Sequence, residues 1–252
     1  MLECDAISVS GISRFGFQTT AWSLVLAAAG NPTIDSRQAL ASLCQTYWNP
    51  VYAFIRRCGH TPEQSQDLTQ GFFARFLEKQ FLKDVDRQRG RFRSFLLAAV
   101  KHFLANERDR AQALKRGGGH VPVSIDLLEA ESWYKPAAVE TTTPESLFER
   151  RWALSVLDQV MARLRAEYSA MGKTELFERL EGLLIKDADA RCEALAQEMG
   201  VSAGALRMSL YRLRRKYRQI LREEIAETVS TPTEIDEEIR FLMSVLHTRN
   251  PQ

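Results

Sequence analysis

Apolar residues recur at three- and four-residue spacing along most of this 252-residue chain, and no stretch alternates apolar with polar residues long enough to make a strand. That period commits the chain to amphipathic helices, so the expected fold class is all-α. Gly and Pro are scarce outside a few places, and those places mark the breaks. Helices are expected over residues 36–58, 61–78 and 91–114. Thr61-Pro62-Glu63-Gln64 reads as an N-cap followed by proline at the first helical position.

The helical pattern collapses after Gly117 into Gly117-Gly118-Gly119, several prolines and the run Thr141-Thr142-Thr143, which is linker composition. The expected organisation is two small helical domains joined by a flexible linker, with a C-terminal helical tail. Residues 1–19 form an N-terminal extension, 20–116 the first domain, 117–144 the linker, 145–228 the second domain and 229–252 an acidic tail. Pro232 sets off a short amphipathic helix over residues 234–246. The apolar run 21–29 has little basic charge before it and is too short to span a bilayer, so a buried first helix is expected and no membrane insertion. Cys4, Cys44, Cys58 and Cys192 lack the paired spacing of structural zinc or a redox dithiol and read as reduced thiols of a cytoplasmic protein.

A formal net charge of +2 says little about partners, but the charge is sharply segregated. Arg87, Arg89, Arg91, Arg93, Lys101, Arg108, Arg110, Lys115 and Arg116 are opposed only by Glu107 and Asp109. Between Leu206 and Arg222 the cations Arg207, Arg212, Arg214, Arg215, Lys216, Arg218 and Arg222 meet no acid at all. A face that served solubility alone would mix signs in supporting i, i+4 pairs, so both segments read as nucleic-acid patches. After Arg222 the sign reverses through Glu223, Glu224, Glu227, Glu234, Asp236, Glu237 and Glu238. An acidic tail on the same chain is at high effective concentration and is expected either to fold over the basic helix or to lie solvated.

Residues 192–218 carry the most informative local pattern, that of a helix-turn-helix. Ala196 is small enough for two helices to approach, Gly200 permits the positive φ of the turn, and Leu195, Met199, Val201, Leu206 and Leu210 are expected to fill the shared core. Ser202 caps the second helix. Leu206, Leu210, Leu213 and Tyr217 should face inward, leaving Ala203, Gly204, Arg207, Met208, Tyr211 and Arg212 outward. The expected DNA contacts on this helix are Ser202, Arg207, Met208, Tyr211, Arg212, Arg214, Arg215 and Lys216. Small residues at its N-terminus admit it to the major groove, and its cations reach base edges or phosphates.

Asp67-Leu68-Thr69-Gln70-Gly71-Phe72-Phe73-Ala74-Arg75-Phe76-Leu77 resembles the polymerase-binding helix of bacterial sigma factors, commonly Asp-Leu-x-Gln-Glu-x-Phe. Gly90-Arg91-Phe92-Arg93-Ser94-Phe95-Leu96-Leu97 resembles the start of that family's promoter-melting helix, Gly-x-Phe-x-x-Trp-Leu. With the helix-turn-helix, the chain resembles RNA polymerase sigma factors of the extracytoplasmic-function type, carrying region 2 and region 4 in order. The resemblance implies a transcription initiation factor that binds core RNA polymerase and promoter DNA, with an anti-sigma protein as a further candidate partner. It implies polymerase contacts at Asp67, Gln70, Phe73 and Arg75. It implies start-proximal promoter contacts at Arg91, Arg93, Lys101, His102, Asn106, Arg108 and Arg110, and upstream-element contacts on the recognition helix.

Of Phe72, Phe73 and Phe76 at least two are expected in the core, as are Phe92, Phe95 and Phe103. Gly71 stands where the family carries an acid, Phe95 where Trp is common, and Met208-Ser209 where many relatives have Ser-Arg. An enzyme is not expected, nor a metal or cofactor: His60, His102, His120 and His247 fall in no ligand spacing, and the triple glycine lacks a phosphate-loop lysine. The competing reading is a helix-turn-helix regulator that is not a polymerase subunit. A protein-interaction adaptor is disfavoured by two basic patches.

Overall fold

A computed structural model describes residue 22 and residues 34–77, 91–114, 143–184 and 189–247. These form eight helices: α1 (Ile34–Arg57), α2 (Pro62–Leu77), α3 (Phe92–Leu114), α4 (Pro144–Ala170), α5 (Thr174–Glu181), α6 (Asp189–Glu198), α7 (Ala203–Ala226) and α8 (Thr233–His247). The all-α expectation holds among the described residues, where the sole β feature is an isolated bridge between Arg91 and Val229. No helix among them is long and apolar enough to cross a membrane. The 1–19 extension, nearly all of the apolar run 21–29 and nearly all of the 117–144 linker lie outside the described residues.

Local chemistry sets the helix ends. Thr61 and Gln64 form a reciprocal capping box: the Gln64 N–H donates to Thr61 Oγ1 at 3.3 Å and the Thr61 N–H to Gln64 Oε1 at 3.2 Å. Thr143 caps α4, accepting from the Ser146 N–H at 3.1 Å, with Pro144 at the first helical position. The tail helix begins where the Glu234 carboxylate accepts from the Ser230 and Thr231 N–H groups at 3.0 and 2.9 Å.

The hub is α4, whose Phe148, Trp152, Val156, Val160 and Leu164 repeat every four residues and are all buried. It packs against α1 on one side and α5, α7 and α8 on the others. Phe148 meets Tyr47 and Phe54 of α1 at ring separations of 6.3 and 6.4 Å, and Trp152 meets Phe241 of α8 at 6.1 Å. One hydrophobic cluster therefore runs from Trp22 through α1–α3 into α4–α8. Two main-chain bonds join the same parts: Trp22 N–H donates to Glu227 O and Phe92 N–H to Thr228 O, each at 3.0 Å. Phe72, Phe73, Phe76, Phe92, Phe95 and Phe103 are all buried in this core.

Candidate nucleic-acid interface

Helices α6 and α7 pack against each other across a tight turn, and that turn is fixed by main-chain chemistry. Gly200 has φ +65°, the left-handed conformation that a side chain disfavours. The Val201 N–H reaches back to Ala196 O at 3.0 Å and the Gly200 N–H to Gln197 O at 3.2 Å, closing a Schellman motif on α6. Ser202 Oγ then accepts from the Ala205 N–H at 3.2 Å and starts α7. Ala196, Leu206, Leu210 and Leu213 are buried between the helices, and Leu195, Met199, Ala203 and Tyr217 pack partly buried against them. Val201 is the exception to the expected core. It is 44% exposed, because the residue after the left-handed glycine is anchored by its N–H and projects at the outer edge of the turn.

The expected upstream-element residues divide by what each side chain already holds. Ser202 is spent on the cap. Arg214 is half-buried and donates from Nη2 to Leu183 O at 2.8 Å, stapling α7 to the end of α5, and Lys216 pairs with Glu167 of α4 at 2.7 Å. Arg207 is exposed and bridges to the exposed Glu193 of α6 at 2.8 Å. Met208, Tyr211, Arg212 and Arg215 all face solvent. Arg212, Arg215 and the adjacent Arg218 make no ion pair with another described residue, so they form the unshielded positive face of α7.

The start-proximal set divides in the same way. Lys101, His102, Asn106, Arg108 and Arg110 are exposed along the distal half of α3. Lys101 pairs with Glu145 at 2.7 Å, holding that carboxyl below the ordinary range, and Arg110 pairs with Glu107 at 2.8 Å. Asn106 lies 3.4 Å from His102 Nδ1. Arg93 is placed differently, since it shares its helix face with Leu96 and Val100 and is only 7% exposed. Its Nε and Nη2 fork onto the two oxygens of Glu238 in α8 at 2.5 and 3.3 Å, while Nη1 reaches Glu149 at 3.5 Å. Its guanidinium lies 3.7 Å from the centre of the Phe241 ring and 5.3 Å from that of Trp152. Arg91 is held by Glu237 at 2.7 Å and Glu238 at 3.3 Å. The acidic tail thus closes on the start of α3 and, through Asp236, on Arg222, and among the described residues its ion pairs do not reach the first half of α7. Burial raises the Glu149 carboxyl, against the pull of Arg93, and pushes the neighbouring Tyr47 phenol well above its usual range.

On α2, Asp67 and Gln70 are half-buried at the surface. Phe73 is buried, stacked on Trp48 at 5.7 Å, and Arg75 is ion-paired with Glu107 and lies over the Phe103 ring at 5.3 Å. A side chain at Gly71 would meet Phe103 at an ordinary 3.7 Å, so packing leaves room for the acid that the sigma pattern carries there. Residues that composition did not single out, Trp152, Glu149 and Phe241, complete the tail contact. The sign reversal after Arg222 was the only sequence signal for it.

The chain matches no known family model, no curated protein and no solved structure in the comparisons made, so a functional reading rests on the motifs and on the geometry of α2, α3 and α6–α7.

Proposed function

We propose that this chain is a sigma factor of the extracytoplasmic-function type, which binds core RNA polymerase and directs promoter recognition, and which catalyses nothing itself. The observation that carries this reading is the order of three features on one chain: the Asp67–Leu77 helix, the basic α3 that follows it, and a helix-turn-helix with an unshielded positive face. Each has a physical use. Asp67 and Gln70 form a polar rim beside an aromatic core, suited to a specific protein contact. The exposed Lys101, His102, Asn106, Arg108 and Arg110 suit a melted or duplex phosphate backbone, and α7 suits the major groove.

The test is transcription. Purified chain with core polymerase should initiate at a subset of a genomic promoter library where core polymerase alone does not, and failure across the library would overturn the reading. Asp67→Ala should weaken polymerase binding while DNA binding by α6–α7 persists. A second reading, a DNA-binding regulator outside polymerase, is favoured by the shared core that buries Phe73 and engages Arg75. Co-purification with core polymerase separates the two.

A further inference from the structure

Exposed large hydrophobic residues recur at the turn before α7 and along its first half. Of the seven among the described residues, Val201, Met208 and Tyr211 lie in the turn and first half of α7, and Met208 and Tyr211 are 52% and 57% exposed. Steps of four, three and four residues place Gly204, Met208, Tyr211 and Arg215 in a single stripe, diametrically opposite the buried Leu206, Leu210 and Leu213. Core packing therefore explains neither apolar side chain.

Gly204 adds an independent observation. It sits inside a helix, where glycine is disfavoured, yet its φ is not positive and a Cβ there would meet nothing within 4 Å. No described residue requires glycine at this position, and its lack of a side chain leaves room for close approach by whatever the stripe meets. The polar surroundings say what that is. Arg212, Arg215 and Arg218 carry positive charge without ion pairs to other described residues, whereas Ser209 turns back to donate to Ala205 O at 3.0 Å. No carboxylate or amide acceptor stands on α7 before Gln219.

Such a face offers an apolar centre and guanidinium donors, and the Tyr211 hydroxyl is its one uncommitted acceptor. In the major groove, an apolar surface meets the thymine methyl, and guanidinium donors meet the O6 and N7 acceptors of guanine. The amino donors of cytosine and adenine call for acceptors that this face largely lacks. We infer that Met208 and Tyr211 determine specificity by packing on thymine methyl groups, so that the duplex read by α7 carries adjacent thymines flanked by guanine. This rests on reading α7 as a recognition helix.

The experiment selects duplexes from a random library with the full chain, with and without core RNA polymerase, and then replaces each thymine of the enriched site by deoxyuridine, removing one methyl at a time. Affinity should fall about fourfold for each contacted methyl. Met208→Ala or Tyr211→Ala should bind the thymine and uracil versions of its own step alike, with thermal unfolding unchanged because both residues are exposed. Arg212→Ala should bind more weakly overall but keep the methyl effect. An enriched site without thymine, equal affinity of the wild-type chain for both versions, or a methyl effect that survives both substitutions would overturn the inference while DNA recognition stands. Enrichment of no duplex under either condition would overturn both the inference and the recognition-helix reading beneath it.

Discussion

Replacing Glu238 by alanine leaves the Arg93 guanidinium inside the protein without its bidentate partner. Glu238 is 1% exposed and Arg93 7%, so neither charge is screened by solvent. Removing one member of a buried pair costs about 3–5 kcal/mol. Two features hold the expected value to the lower end, about 3 kcal/mol: Glu149 stands 3.5 Å from Nη1 and takes over part of the charge, and the Phe241 ring beneath the guanidinium contributes about 1–2 kcal/mol of cation–π attraction. For a chain of this length that corresponds to a melting temperature lower by about 6–12 °C. The companion is Arg93→Met with Glu238→Leu, which removes both charges and keeps the volume. It should fall within about 1 kcal/mol of the wild type, because an apolar pair avoids the desolvation that the ion pair must overcome. Urea unfolding followed by circular dichroism measures all the variants, and a double-mutant cycle isolates the coupling. A Glu238→Ala variant within about 1 kcal/mol of the wild type would refute a buried Arg93–Glu238 pair, since an exposed ion pair contributes about 0–1 kcal/mol.

Gly200→Ala should destabilise the chain by about 1–2 kcal/mol, because the left-handed turn penalises a side chain, whereas Gly182→Ala, at φ −65° with open space around it, should be neutral or slightly stabilising; both are read by thermal unfolding. Arg215→Ala should lower affinity for the enriched duplex by about 1–3 kcal/mol and relax the preference for guanine, whereas Arg214→Ala should lower stability and leave that preference unchanged. Glu149 has its carboxyl raised by burial, so its folded state holds the proton more tightly than its unfolded state. The stability that this proton contributes is complete below the ordinary carboxyl range and is lost as pH rises through the folded-state value. Glu149→Gln should flatten that loss, seen as urea midpoints that vary less than those of the wild type between about pH 4 and 7.

The helical class and the tight turn between α6 and α7 are legible in the sequence because the forces that set them are local. Period fixes which face is buried, Gly200 and Ser202 act within a few residues of themselves, and Thr61 with Gln64 closes its own cap. Val201 departs from expectation for an equally local reason, its place as the last residue of the Schellman turn, which a spacing argument treats as core. The aromatic rings of α2 and α3 read correctly as core, and for that reason Phe73 offers little surface to a partner.

Arg93 is the instructive case. Within a run of arginines it reads as one more phosphate ligand, although its spacing to Leu96 and Val100 already marks the inner face of α3. Its partner lies 145 residues away, and no periodicity within either segment announces that pairing. Tail acids that suggest a cover for the basic helix close on the start of α3 and meet α7 near its end, at Arg222, because the shape of the core, set by Trp152 and Phe241, decides where they land.

The closure of the core by α8 also sets an order of events during synthesis. Arg93 awaits Glu238 and Trp152 awaits Phe241, so these buried side chains find their cover only after the ribosome has made α8. Contacts spanning most of a chain form slowly, and a nascent chain stalled before residue 238 would leave Arg93 without Glu238 and Trp152 without Phe241. Loss of α8 should therefore destabilise the whole core and not merely trim an appendage.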